Sequence, residues 1–108
     1  EESYSMSKAK FFIGQVVQHQ MFDYRGVIID VDYKFLGSEV WYKEVARSQP
    51  PKDQPWYHVL VNDSVQQTYV AERNLESCET KDPIHHPSLD YYFKGMENGC
   101  YSLKIQKN

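Results

Sequence analysis

No stretch of this 108-residue sequence approaches the roughly 18 consecutive apolar residues that a membrane-crossing helix needs. No charged start leads into an apolar run and a small-residue cleavage site, so no signal peptide is expected. Cysteine is scarce. Cys78 and Cys100 make one widely spaced pair, which is no disulfide framework. They read as reduced thiols of a cytoplasmic protein. The five glycines, Gly14, Gly26, Gly37, Gly95 and Gly99, are dispersed, so no phosphate-cradling loop can form from them. A basic excess is also missing. The formal charge is −3, and Glu1 and Glu2 supply two of those charges. Residues 1–5 are expected to be an expression remnant ahead of a native start at Met6. Removing the two glutamates from the 15 acidic residues leaves 13 against 12 basic, a balance of −1. Proteins that hold nucleic acid by charge alone usually carry a clear positive excess.

The constellations of catalysis and metal binding are equally sparse. There is no nucleophile elbow. Cys78 stands between Glu76 and Glu79, whose charge would raise a thiol pKa and make it a poor nucleophile. His19 and His58 are isolated in sequence, and the adjacent His85 and His86 would point apart in extended chain. No zinc-type spacing of His and Cys occurs. Asp30 and Asp32 could form an acid/base pair. They read more simply as the wet face of an amphipathic strand, since no nucleophile or base lies near them in sequence. No catalytic residue, metal or cofactor is therefore expected.

What the sequence does contain is strand pattern and aromatic rings. Val27, Ile29, Val31 and Tyr33 alternate with Ile28, Asp30 and Asp32, the mark of a half-buried antiparallel strand. A first strand is expected over 15–19 after a turn at Gly14. Tyr57, Val59 and Val61 alternate with His58, Leu60 and Asn62, and Asn62-Asp63-Ser64 turns the chain back into a strand over 67–71. A helical turn over 71–75 and a last short strand over 76–79 complete the pattern. Between the strands lies a polar excursion, Lys34 to Pro55. Ser38 is placed to cap a short helix over 39–47, which must end before Pro50 and Pro51. A second short helix is expected over 89–94, and 97–108 is weakly patterned enough to fray. The expected fold is mainly β. It is a small, strongly bent SH3-like barrel with a long inserted loop and short helix, and a short C-terminal helix. One domain covers 6–108, with the barrel over 11–80 and an extension over 81–108. Its expected core is Phe12, Ile13, Val17, Val27, Ile29, Val31, Val59, Val61, Tyr69 and Leu75.

Nine tyrosines, five phenylalanines and two tryptophans exceed what such a core needs. Exposed rings serve protein interfaces or, with cations, stacked bases and phosphates. For protein contact the candidates are Trp41, Tyr42, Trp56 and Tyr57. For DNA they are Arg25, Lys34, Lys43 and Arg47, with Lys104 and Lys107 in the tail. Between Gly14 and Val65, seven acidic residues face five basic ones. A tight DNA binder makes roughly 6–10 phosphate contacts, so charge favours protein. A third reading buries the rings between subunits of an oligomer.

Four blocks of this sequence resemble one known family. They are Phe12-Ile13-Gly14-Gln15-Val16-Val17-Gln18-His19, Tyr24-Arg25-Gly26-Val27-Ile28-Ile29-Asp30-Val31-Asp32, Pro55-Trp56-Tyr57-His58-Val59-Leu60-Val61 and Thr68-Tyr69-Val70-Ala71-Glu72-Arg73-Asn74-Leu75. The family is HspQ/YccV-like, comprising bacterial heat-shock and hemimethylated-DNA-binding proteins. The resemblance implies an SH3-like barrel and no catalytic residues. It implies one of two functions. The first is an adaptor or specificity enhancer for ATP-dependent proteases of the Lon or Clp type, which promotes degradation of particular proteins under heat stress. The second is binding of hemimethylated DNA in replication control. It also implies self-association, as a homo-trimer. The chain departs from the family pattern over 34–54 and at its C-terminal end.

Overall fold

The structure is a computed structural model and describes residues 8–80 and 82–104. The expected remnant over 1–5 and Lys107 lie outside the described residues. Among the described residues, seven strands and two short helices order as β1 (Val16–His19), β2 (Arg25–Asp32), α1 (Glu39–Glu44), β3 (Trp56–Val61), β4 (Gln67–Ala71), β5 (Leu75–Ser77), α2 (Leu89–Tyr92), β6 (Phe93–Glu97) and β7 (Cys100–Leu103). The chain is thus mainly β, as the alternating patterns predict.

β1 to β5 form one antiparallel sheet in the order β4-β3-β2-β1-β5. A single 3-10 turn, Glu72–Asn74, joins its two edge strands. Ala71 and Leu75 are four residues apart, which allows about 14 Å at most. The sheet must therefore curl until its opposite edges approach. Among the described residues no ladder joins β4 to β5, so the curled sheet is open and the expected barrel is not closed by hydrogen bonds.

β2 departs from simple alternation. Ile28 pairs with Val59, but Asp30 pairs with His58, so the register slips by one residue at Ile29. This is a β-bulge, and it moves later side chains to the other face. Ile28 and Val31 consequently share the concave cluster with Phe11, Val17, Tyr57, Val59, Val70 and Leu75. Val27 and Ile29 point the opposite way, with Val16 and Leu60. The expected half-buried strand is thereby corrected: the middle of β2 is buried on both faces.

The second face is covered by the C-terminal segment. Ile84, Phe93 and Tyr101 pack onto Val16, Val27, Ile29 and Leu60, and β6 pairs with β7 in a hairpin. Gly14 makes the junction. It adopts φ +94, and a Cβ there would lie 2.1 Å from the Tyr101 carbonyl oxygen. Its own carbonyl accepts the Tyr101 N–H at 2.7 Å. The frayed end expected over 97–108 is corrected through Leu103, where the chain is a packed strand. His85 and His86 tie this segment to the β3–β4 turn: His85 N–H donates to Asn62 Oδ1 at 2.7 Å, and His86 Nε2 meets the Gln66 carbonyl at 2.9 Å.

Most of the expected core is buried or half-buried. Phe12 is the exception, 52% exposed, and Phe11 takes its place. Phe11 meets Tyr57 edge-on at 5.5 Å. Among the described residues no helix is long and apolar enough to cross a membrane, and both cysteines are free thiols.

Candidate functional site

The excursion between β2 and β3 folds down onto the sheet. Ser38 caps α1, its Oγ accepting the Trp41 N–H at 3.1 Å. This agrees with the cap read from the sequence, although the helix ends at Glu44. Phe35 enters the centre of a ring cluster, with centroids 4.9 Å from Trp56, 5.3 Å from Tyr42 and 5.9 Å from both Trp41 and Tyr69. The buried polar handles of Trp56 and Tyr42 are used. Trp56 Nε1 donates to the Pro51 carbonyl at 3.0 Å, and the Tyr42 hydroxyl donates to the Pro50 carbonyl at 2.6 Å. Lys52 lies over the Tyr42 ring at 4.3 Å and pairs with Glu39 at 2.7 Å. That pair holds the Glu39 carboxyl below its ordinary pKa, mainly through the Lys52 hydrogen bond.

Under the cluster, β2, β3 and β4 share one polar knot. Asp32 Oδ2 accepts the Tyr69 hydroxyl at 2.7 Å and lies 3.1 Å from His58 Nε2. The Tyr69 oxygen accepts the Leu36 N–H at 3.0 Å. Burial, and then the hydrogen bond to Asp32, push the Tyr69 hydroxyl well above its ordinary pKa, so it stays a donor at physiological pH. The wet-face reading of Asp32 is corrected: only 14% of its side chain is exposed, while Asp30 is exposed as expected. His58, isolated in sequence, is brought to Asp32 by the β2–β3 register. Asp30, Asp32 and His58 place ligand atoms within 4.8 Å of one another. They are the residues here that could hold a metal. Yet Asp32 already serves Tyr69 and His58, and Asp30 Oδ1 accepts the Val31 N–H at 2.9 Å. Hydrogen bonding accounts for the arrangement without an ion.

A second structure rises on the other side of β4. His19 is buried and its Nδ1 accepts the N–H groups of Met21 and Phe22, each at 3.1 Å. An acceptor nitrogen must be unprotonated, and burial lowers the His19 pKa accordingly. The Phe22 and Tyr24 rings pack tilted against the imidazole, with centroids 4.7 and 5.1 Å away. Tyr24 is anchored in turn by a 2.7 Å hydroxyl bond to Thr68. Phe22 is 71% exposed and Met21 58%.

Between these walls lies a half-open groove of about 890 Å³. The Trp41–Pro50 segment bounds one side, the His19–Tyr24 turn bounds the other, and β4 runs along its floor. Its lining is mostly apolar. Among the described residues it includes Arg47, His19 and His58 and no carboxylate.

The residues expected to touch a partner separate clearly. Trp41 lines the groove and is half-buried. Tyr42, Trp56 and Tyr57 are 9%, 1% and 0% exposed. As contact residues they are corrected to core: a partner reaches none of them directly except along the groove-facing edge of Trp56. Met21 and Phe22 were not singled out, because two apolar residues in a loop carry no periodic signal. The candidate cations stand on several elements. Arg25 starts β2, and its guanidinium donates to the Asp82 carbonyl. Lys34 follows the far end of that strand, about 23 Å away at strand rise. Lys43 and Arg47 are exposed on and after α1. Lys104 is tied to the Asp90 carbonyl at 2.9 Å beside α2.

Fold and groove together define a small, mainly β domain with an aromatic-lined groove along one sheet edge. Residues 9–100 match the family model described as YccV-like, hemimethylated DNA-binding protein YccV like. The chain belongs to the YccV-like family.

Proposed function

We propose that this protein is a non-catalytic adaptor that presents particular proteins to ATP-dependent proteases of the Lon or Clp type. The observation that carries the reading is the groove, which is apolar, lined by exposed Met21, Phe22 and Val45, and free of carboxylates. Large exposed apolar surface rimmed by polar groups marks interaction sites on soluble proteins. An adaptor needs only to hold a substrate while a second contact engages the protease, since tethering raises the local concentration of one at the other. The curled sheet is read as a variant of the SH3-like barrel, the protein as cytoplasmic, and self-association into a trimer as the means of multiplying grooves.

The test is a degradation assay. A Lon- or Clp-type protease is given a heat-denatured substrate with and without this protein. Faster ATP-dependent turnover on its addition is expected, and unchanged turnover at saturating adaptor would sink the reading.

The family's description favours a second reading, hemimethylated DNA binding. Lys34, Lys43 and Arg47 are the cations best placed for it. Affinity for methylated, hemimethylated and unmethylated duplexes would be measured across a salt series. A preference for the hemimethylated duplex with a steep salt slope would establish it. The scattered cations lead us to expect neither.

A further inference from the structure

The floor of the groove is a sheet edge, and its backbone is open on one side. Gln66 C=O accepts the Val61 N–H at 3.1 Å, and Glu72 N–H donates to the Pro55 C=O at 3.0 Å. Both bonds belong to the register that pairs Val59 with Thr68 and Tyr57 with Val70. In an antiparallel ladder, alternate residues exchange bonds with the neighbour and the others face away. Residues 66, 68, 70 and 72 therefore face β3. Gln67, Tyr69 and Ala71 turn their N–H and C=O groups into the groove, where among the described residues no backbone partner meets them. Unpaired edge groups are a template for another strand.

We propose that β4 binds an extended segment of an unfolded protein by strand addition. This rests on the adaptor reading and specifies what the groove holds. Five residues of β4 span about 16 Å, enough to register a peptide of similar length. Side chains of an added strand would alternate between the two walls. One set falls on Met21 and Phe22, and the other on Trp41 and Val45. Main-chain bonds would supply affinity without sequence preference, and the two apolar walls would select β-branched, largely apolar segments. Such segments are buried in folded proteins and accessible in denatured ones. Arg47, with no carboxylate in the lining, favours an acidic residue in the peptide. A second copy of this chain fits poorly. Its own β4 lies recessed between the same two walls, so two such edges would meet only after the walls collided.

The probe is a fluorescein-labelled ten-residue peptide of alternating Val and Thr with one Asp. It is compared with versions N-methylated at every even or every odd position. Side chains are unchanged and both versions carry N-methyl groups, so the difference between the two patterns isolates which backbone donors are used. Binding is expected for the parent. One methylated version should weaken by at least tenfold while the other stays near the parent, because each lost hydrogen bond is worth roughly a factor of 2–10. Gln67→Pro, which removes an outward N–H and no ladder bond, should weaken binding several-fold with its Tm retained. Equal effects of both methylation patterns, or no binding of the parent, would overturn the proposal. So would protection of the Gln67, Tyr69 and Ala71 amides from hydrogen exchange in the free protein, which would mean that the chain itself fills the edge. If Gln67→Pro instead dissociates an oligomer, the edge is a contact between copies and the proposal is wrong. Failure of the adaptor reading is separately visible. Protease stimulation absent beside intact, parity-dependent peptide binding condemns that reading alone. Stimulation that survives Gln67→Pro without peptide binding condemns strand addition alone.

Discussion

Single side chains decide whether the groove has walls. His19 is the clearest, since its unprotonated Nδ1 receives two backbone N–H groups of the Met21–Phe22 turn. Burial depresses its folded pKa below the ordinary 6.5. The unfolded chain therefore takes up the proton first as pH falls. The stabilisation is fully present above about pH 6.5 and is lost as pH drops through the lower folded value. Denaturant melts between pH 7.5 and 5 should show stability declining over that window. His19→Asn keeps an acceptor near the same place without titrating, and should flatten the profile. An unchanged slope would mean that His19 does not carry it. Tyr69→Phe tests the polar knot. It removes the hydroxyl donor to the part-buried Asp32 carboxylate and should destabilise by about 1–3 kcal/mol. Gly14→Ala combines a positive φ with a Cβ 2.1 Å from the Tyr101 carbonyl. A loss of about 2 kcal/mol or more is expected by thermal or chemical denaturation.

Elements show where sequence patterns suffice and where they fail. β4 is found over 67–71, where the turn at Asn62-Asp63-Ser64 places a returning strand, and the Ser38 cap and the 3-10 turn near Glu72 sit where local chemistry puts them. β2 departs from its sequence pattern beyond Ile28 because a bulge is a one-residue change in pairing, invisible without the partner strand. Ile28 then looked like the polar side of a strand whose two faces are both apolar. The C-terminal hairpin was missed for another reason. Phe93 and Tyr101, its main anchors, are separated by the tight turn at Asn98-Gly99, and Asn98 and Gly99 both adopt positive φ. Each strand contributes too few apolar residues to show a period. The groove was only partly legible. Trp41 was found by composition, whereas the Phe22 wall depends on a histidine whose role appears only in three dimensions. Truncation after Tyr92 would remove Phe93 and Tyr101 from the Val16–Leu60 face. Exposing that face should abolish cooperative unfolding and increase dye binding to apolar surface, measurable by near-UV dichroism and ANS fluorescence.

At the scale of the whole molecule, charge and shape point the same way. The chain carries a net −3, its candidate DNA-contacting cations are spread from the start of β2 to the segment after β7, and the groove along β4 is mostly apolar. Membership of a family described by hemimethylated DNA does not by itself supply a cationic face. The curled sheet brings two walls to one edge strand, an arrangement suited to grasping extended chain. The most direct measurement is the rate of ATP-dependent degradation of a denatured substrate by a Lon- or Clp-type protease. Wild-type protein is compared with a Met21→Ser, Phe22→Ser, Val45→Ser triple variant. All three positions are more than half exposed, so the variant should fold with a near-native Tm. Stimulation by the wild type and its loss in the variant are expected. Equal stimulation by both would contradict a groove-borne function.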